Sequence, residues 1–250
     1  MSDRQGWEPA RASFPPLGPD AVHVWRVALD PARAASLAPL LSADERARAA
    51  RFHFDADRHR WTVSRAALRT ILAAHAGVAP GALRFVLGRH GKPALDATAL
   101  PPDVGAPRFS LSHSGDVALV AVSRAFELGV DVERTRGDFG TLDIARRFFS
   151  PGEVEALAAL PEARRTAAFF RCWASKEAFI KGTGHGLARA LDSFDVEVDP
   201  ARDAALLRTA PDASERGEWS LVALDPAPGY AGALAVRGRS WRLLTRDWLP

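Results

Sequence analysis

Cysteine is nearly missing from this chain. Cys172 is the only one in 250 residues, so no internal disulfide can form and a reducing, cytoplasmic setting is expected. No stretch approaches the roughly 18 consecutive apolar residues of a membrane span, and the N-terminus lacks the apolar core of a secretion signal. The expectation is a soluble intracellular protein with no membrane contact. Neither sign of charge dominates: 33 Lys and Arg against 30 Asp and Glu leave a net charge of +3. A pI near 9.6 therefore reflects abundant Arg, and nucleic acid is not expected as a partner. Lysine is the scarcest basic residue, present only as Lys92, Lys176 and Lys181. Where nearly every cation is Arg, each Lys marks a place where a compact ammonium is required.

What the chain has is apolar content (47%) sufficient for one large domain or two lobes. Residues 1–20, rich in Pro, Gly and Ala and without periodicity, read as a loose tail. Val22–Leu29 alternates as a strand. Ser42 and Glu45 form a capping box before a first helix, and a second runs through RHRWTVSRAALRTILAAHAG to a stop at Gly77. Arg48 and Arg60 lie on these helices, by default as solvated charges. Leu83–Leu87 reads as a strand and GRHGKPAL as a turn into another, its exit fixed by Pro93. RFSLSHSG and VALVAVS predict a hairpin about Gly115–Asp116 that carries Ser112 and His113. His113, with hydroxyls on either side, is a structural strand histidine or an anion contact.

Asp143–Phe149 reads as a short helix. SPGE then starts another, with Ser150 as cap and Glu153 three residues on. The central helix runs from about Glu162 to Lys181, where GTGHG ends it. SFDVEV, WSLVALD and YAGALAV read as three strands. Helices followed by strands, twice, with no clean linker and no exact repeat, predict an α+β fold of two packed lobes, 21–124 and 125–250.

Two stretches carry the chemistry. On a helix, Glu177 falls near Trp173, Phe170 and Lys181, while Cys172 and Phe179 make the opposite side apolar as well. A helix apolar on both sides is buried, so Lys176, Glu177 and Lys181 must be paired, hold a metal, or face a cleft. In GVDVE (129–133) alternation puts Asp131 and Glu133 on one face of a strand, where like charges repel unless a cation joins them. Asp131, Glu133 and Glu177 are three hard oxygen donors that suit Mg²⁺ sharing its remaining positions with water and phosphate. The bland readings are an i,i+4 ion pair on the helix and a solvated strand edge.

In this order, GRHGKP, FSLSHSG, GVDVE, RFFS, WASKEAFIK and GLARALDSF resemble the 4′-phosphopantetheinyl transferases, over roughly residues 41–198. The likeness is to the larger, monomeric type that activates peptide and polyketide synthetases. It implies a pseudo-twofold pair of similar α+β lobes with coenzyme A in the cleft between them. The reaction it implies moves 4′-phosphopantetheine from coenzyme A to a serine of an apo acyl or peptidyl carrier protein, releasing adenosine 3′,5′-bisphosphate. Mg²⁺, or Mn²⁺ in its place, would be held by Asp131, Glu133 and Glu177. Glu177 would take the serine proton, directly or through water, and Lys181 would stabilise or protonate the leaving phosphate. Lys92, Pro93, Ser112, His113, Arg48, Arg60 and Lys176 would contact coenzyme A. The chain departs from the pattern at Glu45, where relatives often carry a lysine. Glu153 matches a carboxylate sometimes given a catalytic part, but its capping role explains it. The competing readings are a coenzyme A pyrophosphate hydrolase, a Mg²⁺ nuclease, against which Thr135 stands where a lysine is usual, and a non-catalytic module that docks carrier proteins.

Overall fold

A computed structural model describes residues 6–9, 14–88, 90–102, 104–137 and 140–250. The fold is α+β, and the chain divides into two units. Unit 1 comprises residues 1–87, 93–125 and 242–250; unit 2 comprises 88–92 and 126–241.

Unit 1 contains β1 (Glu8–Pro9), β2 (Ala21–Ala28), α1 (Ala34–Leu37), α2 (Ala43–Ala49), α3 (Asp55–Ala76), β3 (Phe85–Leu87), β4 (Pro93–Leu95), β5 (Arg108–Ser114), β6 (Val117–Ser123) and β12 (Arg242–Trp248). Its five-stranded sheet has the order β1-β12-β2-β6-β5. β5 and β6 are the expected hairpin, with Ser114 opposite Val117 and Gly115 taking the positive φ (+54°) that the two-residue turn needs. The 22-residue helix α3 buries Val63, Ala67 and Ile71 along one stripe against Trp25, Val27, Ala118 and Val120 of the sheet. Gly77, at φ 65°, caps its end as the sequence indicates.

Two expectations about the chain ends change. The C-terminal strand β12 lies in unit 1, because it pairs in parallel with β2, Leu244 opposite His23. The segment read as a loose tail packs where it is described: Glu8–Pro9 pair with Arg246 and Asp247 of β12, Phe14 meets Trp25 at 4.9 Å, and Leu17 is buried. Residues 1–5 and 10–13 of that reading lie outside the described residues. Two apolar side chains in an otherwise aperiodic stretch suffice to hold it on the core.

Unit 2 contains β7 (Leu128–Arg134), α4 (Thr141–Phe148), α5 (Pro151–Ala159), α6 (Glu162–Thr183), β8 (Phe194–Val196), β9 (Leu206–Thr209), α7 (Glu215–Glu218), β10 (Trp219–Leu224) and β11 (Tyr230–Arg237). Its main sheet, β10-β11-β7, is antiparallel, with Asp131 opposite Ala233 and Glu133 opposite Ala231. The 22-residue helix α6 lies on this sheet, burying Phe169, Cys172, Ala178 and Phe179 with Trp219, Ala233 and Ala235. Each unit thus sets one long helix on a sheet with antiparallel pairing, as expected of similar lobes. No helix among the described residues is long and apolar enough to cross a membrane.

Candidate active site

In unit 2 the site begins with two residues that have no side chain. A Cβ on Gly129 would lie 2.1 Å from the Ala178 carbonyl oxygen and 2.2 Å from the Gly182 nitrogen. A Cβ on Gly182 would lie 2.6 Å from the Trp219 ring. Backbone therefore meets backbone where β7 crosses the end of α6, a contact only glycine permits. Lys92 closes the same crossing: its ammonium donates to the carbonyls of Leu128 (3.0 Å) and Gly182 (2.9 Å), with Glu127 at 3.6 Å.

Strand alternation carries this face along β7 from Gly129 to Asp131 and then Glu133. Asp131 is 2% exposed, and its Oδ1 accepts a 2.6 Å bond from the Lys181 ammonium. Glu177, one helical turn before Lys181, is half-buried on the same side of α6. Burial and the charge of Asp131 push its pKa above the ordinary carboxylate value, against the pull of Lys181. Glu133 lines an apolar cavity of about 360 Å³ walled by Ile144, Phe148, Phe169, Phe170 and Trp173 and edged by Arg134 and Arg136. Within unit 2, Glu177 is thus near enough to Asp131 and Lys181 to sense the charge of both.

Among the described residues no three carboxylate, imidazole or thiol groups stand close enough to enclose a metal by themselves. The donors present nevertheless fit a hard cation. Burial and, after it, the charge of Asp131 raise the pKa of Glu177, and a third carboxylate, Glu133, follows on the same strand face as Asp131. Such an open set suits Mg²⁺, which keeps several positions for water and phosphate.

Unit 1 holds a second concavity, of about 260 Å³. Trp61, Phe85, Leu87, Leu111 and Pro93 form its apolar walls, and Arg48, Arg65 and His113 its basic groups. The Arg65 guanidinium lies 4.0 Å from the Phe85 ring centre, and that of Arg48 6.0 Å from Trp61. Flat apolar walls with forked cations suit a heteroaromatic ring bearing phosphate. Arg65 was not singled out from the sequence. It is held here by Glu45, which also takes the Arg69 guanidinium (2.5 Å) and the Ser42 backbone N–H (2.9 Å). Burial would raise the Glu45 pKa, but these bonds and the Arg65 charge outweigh it and hold it below the usual range. The acid at the position where the resemblance suggested a lysine is therefore buried structure that sets Arg65 in the pocket wall.

Of the residues expected to contact coenzyme A, Arg48, Pro93 and His113 line this one pocket. The others lie elsewhere. Ser112 is buried on the opposite face of β5 from His113, as alternation requires. Arg60 bonds Asp116 at 2.9 Å. Lys92 serves the glycine crossing in unit 2. Lys176 is fully buried, with its ammonium on Glu153 (2.8 Å) and on the carbonyls of Leu191 (2.7 Å) and Phe194 (2.6 Å). It is enclosed in protein, a correction to its expected place at a ligand. An apolar helix carrying one charge at a fully covered position leaves no other outcome. Glu153 does form the expected capping box with Ser150, and holds Lys176 as well.

Comparison with known proteins gives two family matches. Residues 29–125 match "4′-phosphopantetheinyl transferase, N-terminal", and residues 127–235 match the "4′-phosphopantetheinyl transferase superfamily". The 4′-phosphopantetheinyl transferase HetI of Nostoc sp. is 39% identical over 225 residues, covering 89% of this chain and 90% of that protein. The 4′-phosphopantetheinyl transferase Sfp of Bacillus subtilis is 30% identical over 196 residues (78% and 82%). The L-aminoadipate-semialdehyde dehydrogenase-phosphopantetheinyl transferase of Mus musculus is 27% identical over 208 residues (78% and 66%).

Proposed function

The chain belongs to the 4′-phosphopantetheinyl transferase superfamily and is an enzyme that transfers phosphopantetheine to carrier proteins, and from that premise we propose that coenzyme A is the donor and Mg²⁺ the required metal. Asp131, Glu133 and Glu177 would hold the metal, which would supply charge neutralisation on the pyrophosphate; Mn²⁺ would take the same place. The carriers are acyl or peptidyl carrier domains of peptide or polyketide assembly, and the enzyme works as a cytoplasmic monomer. The comparisons give the hydrolase reading no support.

The observation that carries the reading is the triad of Asp131, Glu177 and Lys181 on facing sides of β7 and α6. Glu177 accepts the proton of the attacking carrier serine; its raised pKa makes it a better base than an exposed carboxylate. Lys181, held by Asp131, presents an ammonium to the departing phosphate. In unit 1, Arg48, Arg65 and His113 take phosphate oxygens of the nucleotide, and Trp61, Phe85 and Pro93 its base.

The test is Asp131→Ala. It should lower the rate of carrier modification by on the order of 10³-fold or more while far-UV circular dichroism and coenzyme A affinity change little. Turnover near that of the parent enzyme would remove Asp131 from the reaction.

A further inference from the structure

We propose that the buried Glu153–Lys176 pair is a positioning device that fixes the rotation of α6 so that Glu177 and Lys181 face β7; it rests on the catalytic reading of those two residues. Neither member reaches solvent: Lys176 is 0% exposed and Glu153 2%. The Lys176 ammonium spends its donors on the Glu153 carboxylate and on the carbonyls of Leu191 and Phe194, between the rings of Phe149 (5.6 Å) and Phe194 (4.3 Å). The Glu153 carboxylate accepts in addition from the Ser150 N–H (3.0 Å), the Val196 N–H (2.8 Å) and the Cys172 thiol (3.9 Å). One ion pair thus gathers the start of α5, two points on α6, and β8.

Burying an ion pair adds little net stability over an apolar pair of the same size, so stability alone does not account for it. What it adds is a unique setting. Much of α6 is apolar on both sides, with Phe169, Phe170, Cys172, Phe179 and Ile180 all buried. Apolar contacts alone discriminate weakly between rotations of such a helix, and the glycine crossing fixes only its C-terminal end. A turn of one residue, about 100°, would carry Glu177 into the enclosure that Lys176 fills and leave both Glu177 and Glu153 without a counter-charge there. The pair forbids that setting, and Glu177, next in sequence, inherits the one it allows.

The experiment uses Glu153→Gln/Lys176→Met in the full chain. Gln keeps an acceptor oxygen for one of the Ser150 and Val196 N–H groups, which bond different oxygens of Glu153, Met keeps most of the length of Lys, and no charge stays buried. Thermal unfolding, kcat, and KM for coenzyme A are measured in the parent and again in a Glu177→Gln background. The expected result is a folded protein with kcat reduced about tenfold or more and KM within about twofold. In the Glu177→Gln background the same change should cost clearly less than in the parent, because only the part that acts through Lys181 remains. An unchanged kcat in a folded double variant, or equal losses in both backgrounds, overturns the proposal and leaves the pair a plain stabiliser. If the double variant does not fold, Glu153→Gln alone decides it: lower kcat at unchanged KM supports positioning, and unchanged kcat overturns it. A Glu177→Gln enzyme as fast as the parent would instead remove Glu177 from the chemistry, a failure that shows in that single variant alone.

Discussion

Lys176 and Lys181 are five residues apart on α6, and their surroundings give them opposite work. The Lys176 ammonium is enclosed by a carboxylate and two carbonyls, whereas Lys181, about a third exposed, lies against Asp131 and within reach of the charge of Glu177. A guanidinium is planar and longer, and cannot take the 2.6 Å position on Asp131 while presenting a compact charge outward. Lys181→Arg should therefore lower kcat by on the order of 10²-fold with coenzyme A binding retained, as read by single-turnover kinetics and titration calorimetry. A rate near the parent's would contradict the need for an ammonium. The scarcity of lysine singled out three positions, and in each the ammonium donates to named partners. It could not tell a lysine at the chemistry from one at a glycine crossing or one sealed in a core, because that difference lies in what surrounds the ammonium. Glu45 shows the same limit: its identity was plain in the sequence, but its hold on Arg65 required α2 and α3 to be set side by side.

Among elements, those legible in advance were the ones whose signal is local. Capping boxes at Ser42 and Ser150, the αL stops at Gly77 and Gly184, and the turn at Gly115 depend on a few neighbouring residues, and all are found. The alternation in GVDVE put Asp131 and Glu133 on one face, and that face meets α6. The glycine opening that run carried no such signal. Its reason is the backbone of Ala178 and Gly182, about fifty residues away in the chain. Gly129→Ala should push β7 off α6, costing about 1–3 kcal/mol or more by overpacking, and should move Asp131 away from Lys181. Chemical denaturation together with kcat checks it. Parent-like stability and activity would mean that the crossing has slack which the 2.1 Å approach denies.

At the scale of the whole chain, the least legible feature was the return of the C-terminus to unit 1. RLLTRDW carries no local signal of the sheet it joins, and only its parallel pairing with β2 places it. That sheet also covers an acid-sensitive core. His23 and His75 are buried with ring centres 5.3 Å apart, and among the described residues neither nitrogen of His23 has a hydrogen-bond partner. Burial, then Arg246, pushes His23 from 6.5 down to about 4. Burial, then His23 and Arg124, does the same to His75. A depressed folded pKa means that the unfolded chain binds more protons between pH 6.5 and 4. Stability is therefore intact above pH 6.5 and falls as the pH drops toward 4, by on the order of 3 kcal/mol for each ring. Melting temperatures measured from pH 7 to pH 4.5 should decline steeply, and His23→Leu should flatten that decline; an equal slope in both proteins would contradict it.

The reaction itself is most directly tested by incubating the enzyme with coenzyme A, Mg²⁺ and an apo carrier protein, and weighing the carrier by intact mass spectrometry. The carrier should gain one phosphopantetheine, one adenosine 3′,5′-bisphosphate should be released per carrier, and both should be lost when Mg²⁺ is chelated. Transfer that persists in full under chelation would contradict a metal at Asp131, Glu133 and Glu177, and bisphosphate released without any gain in carrier mass would contradict transfer from coenzyme A.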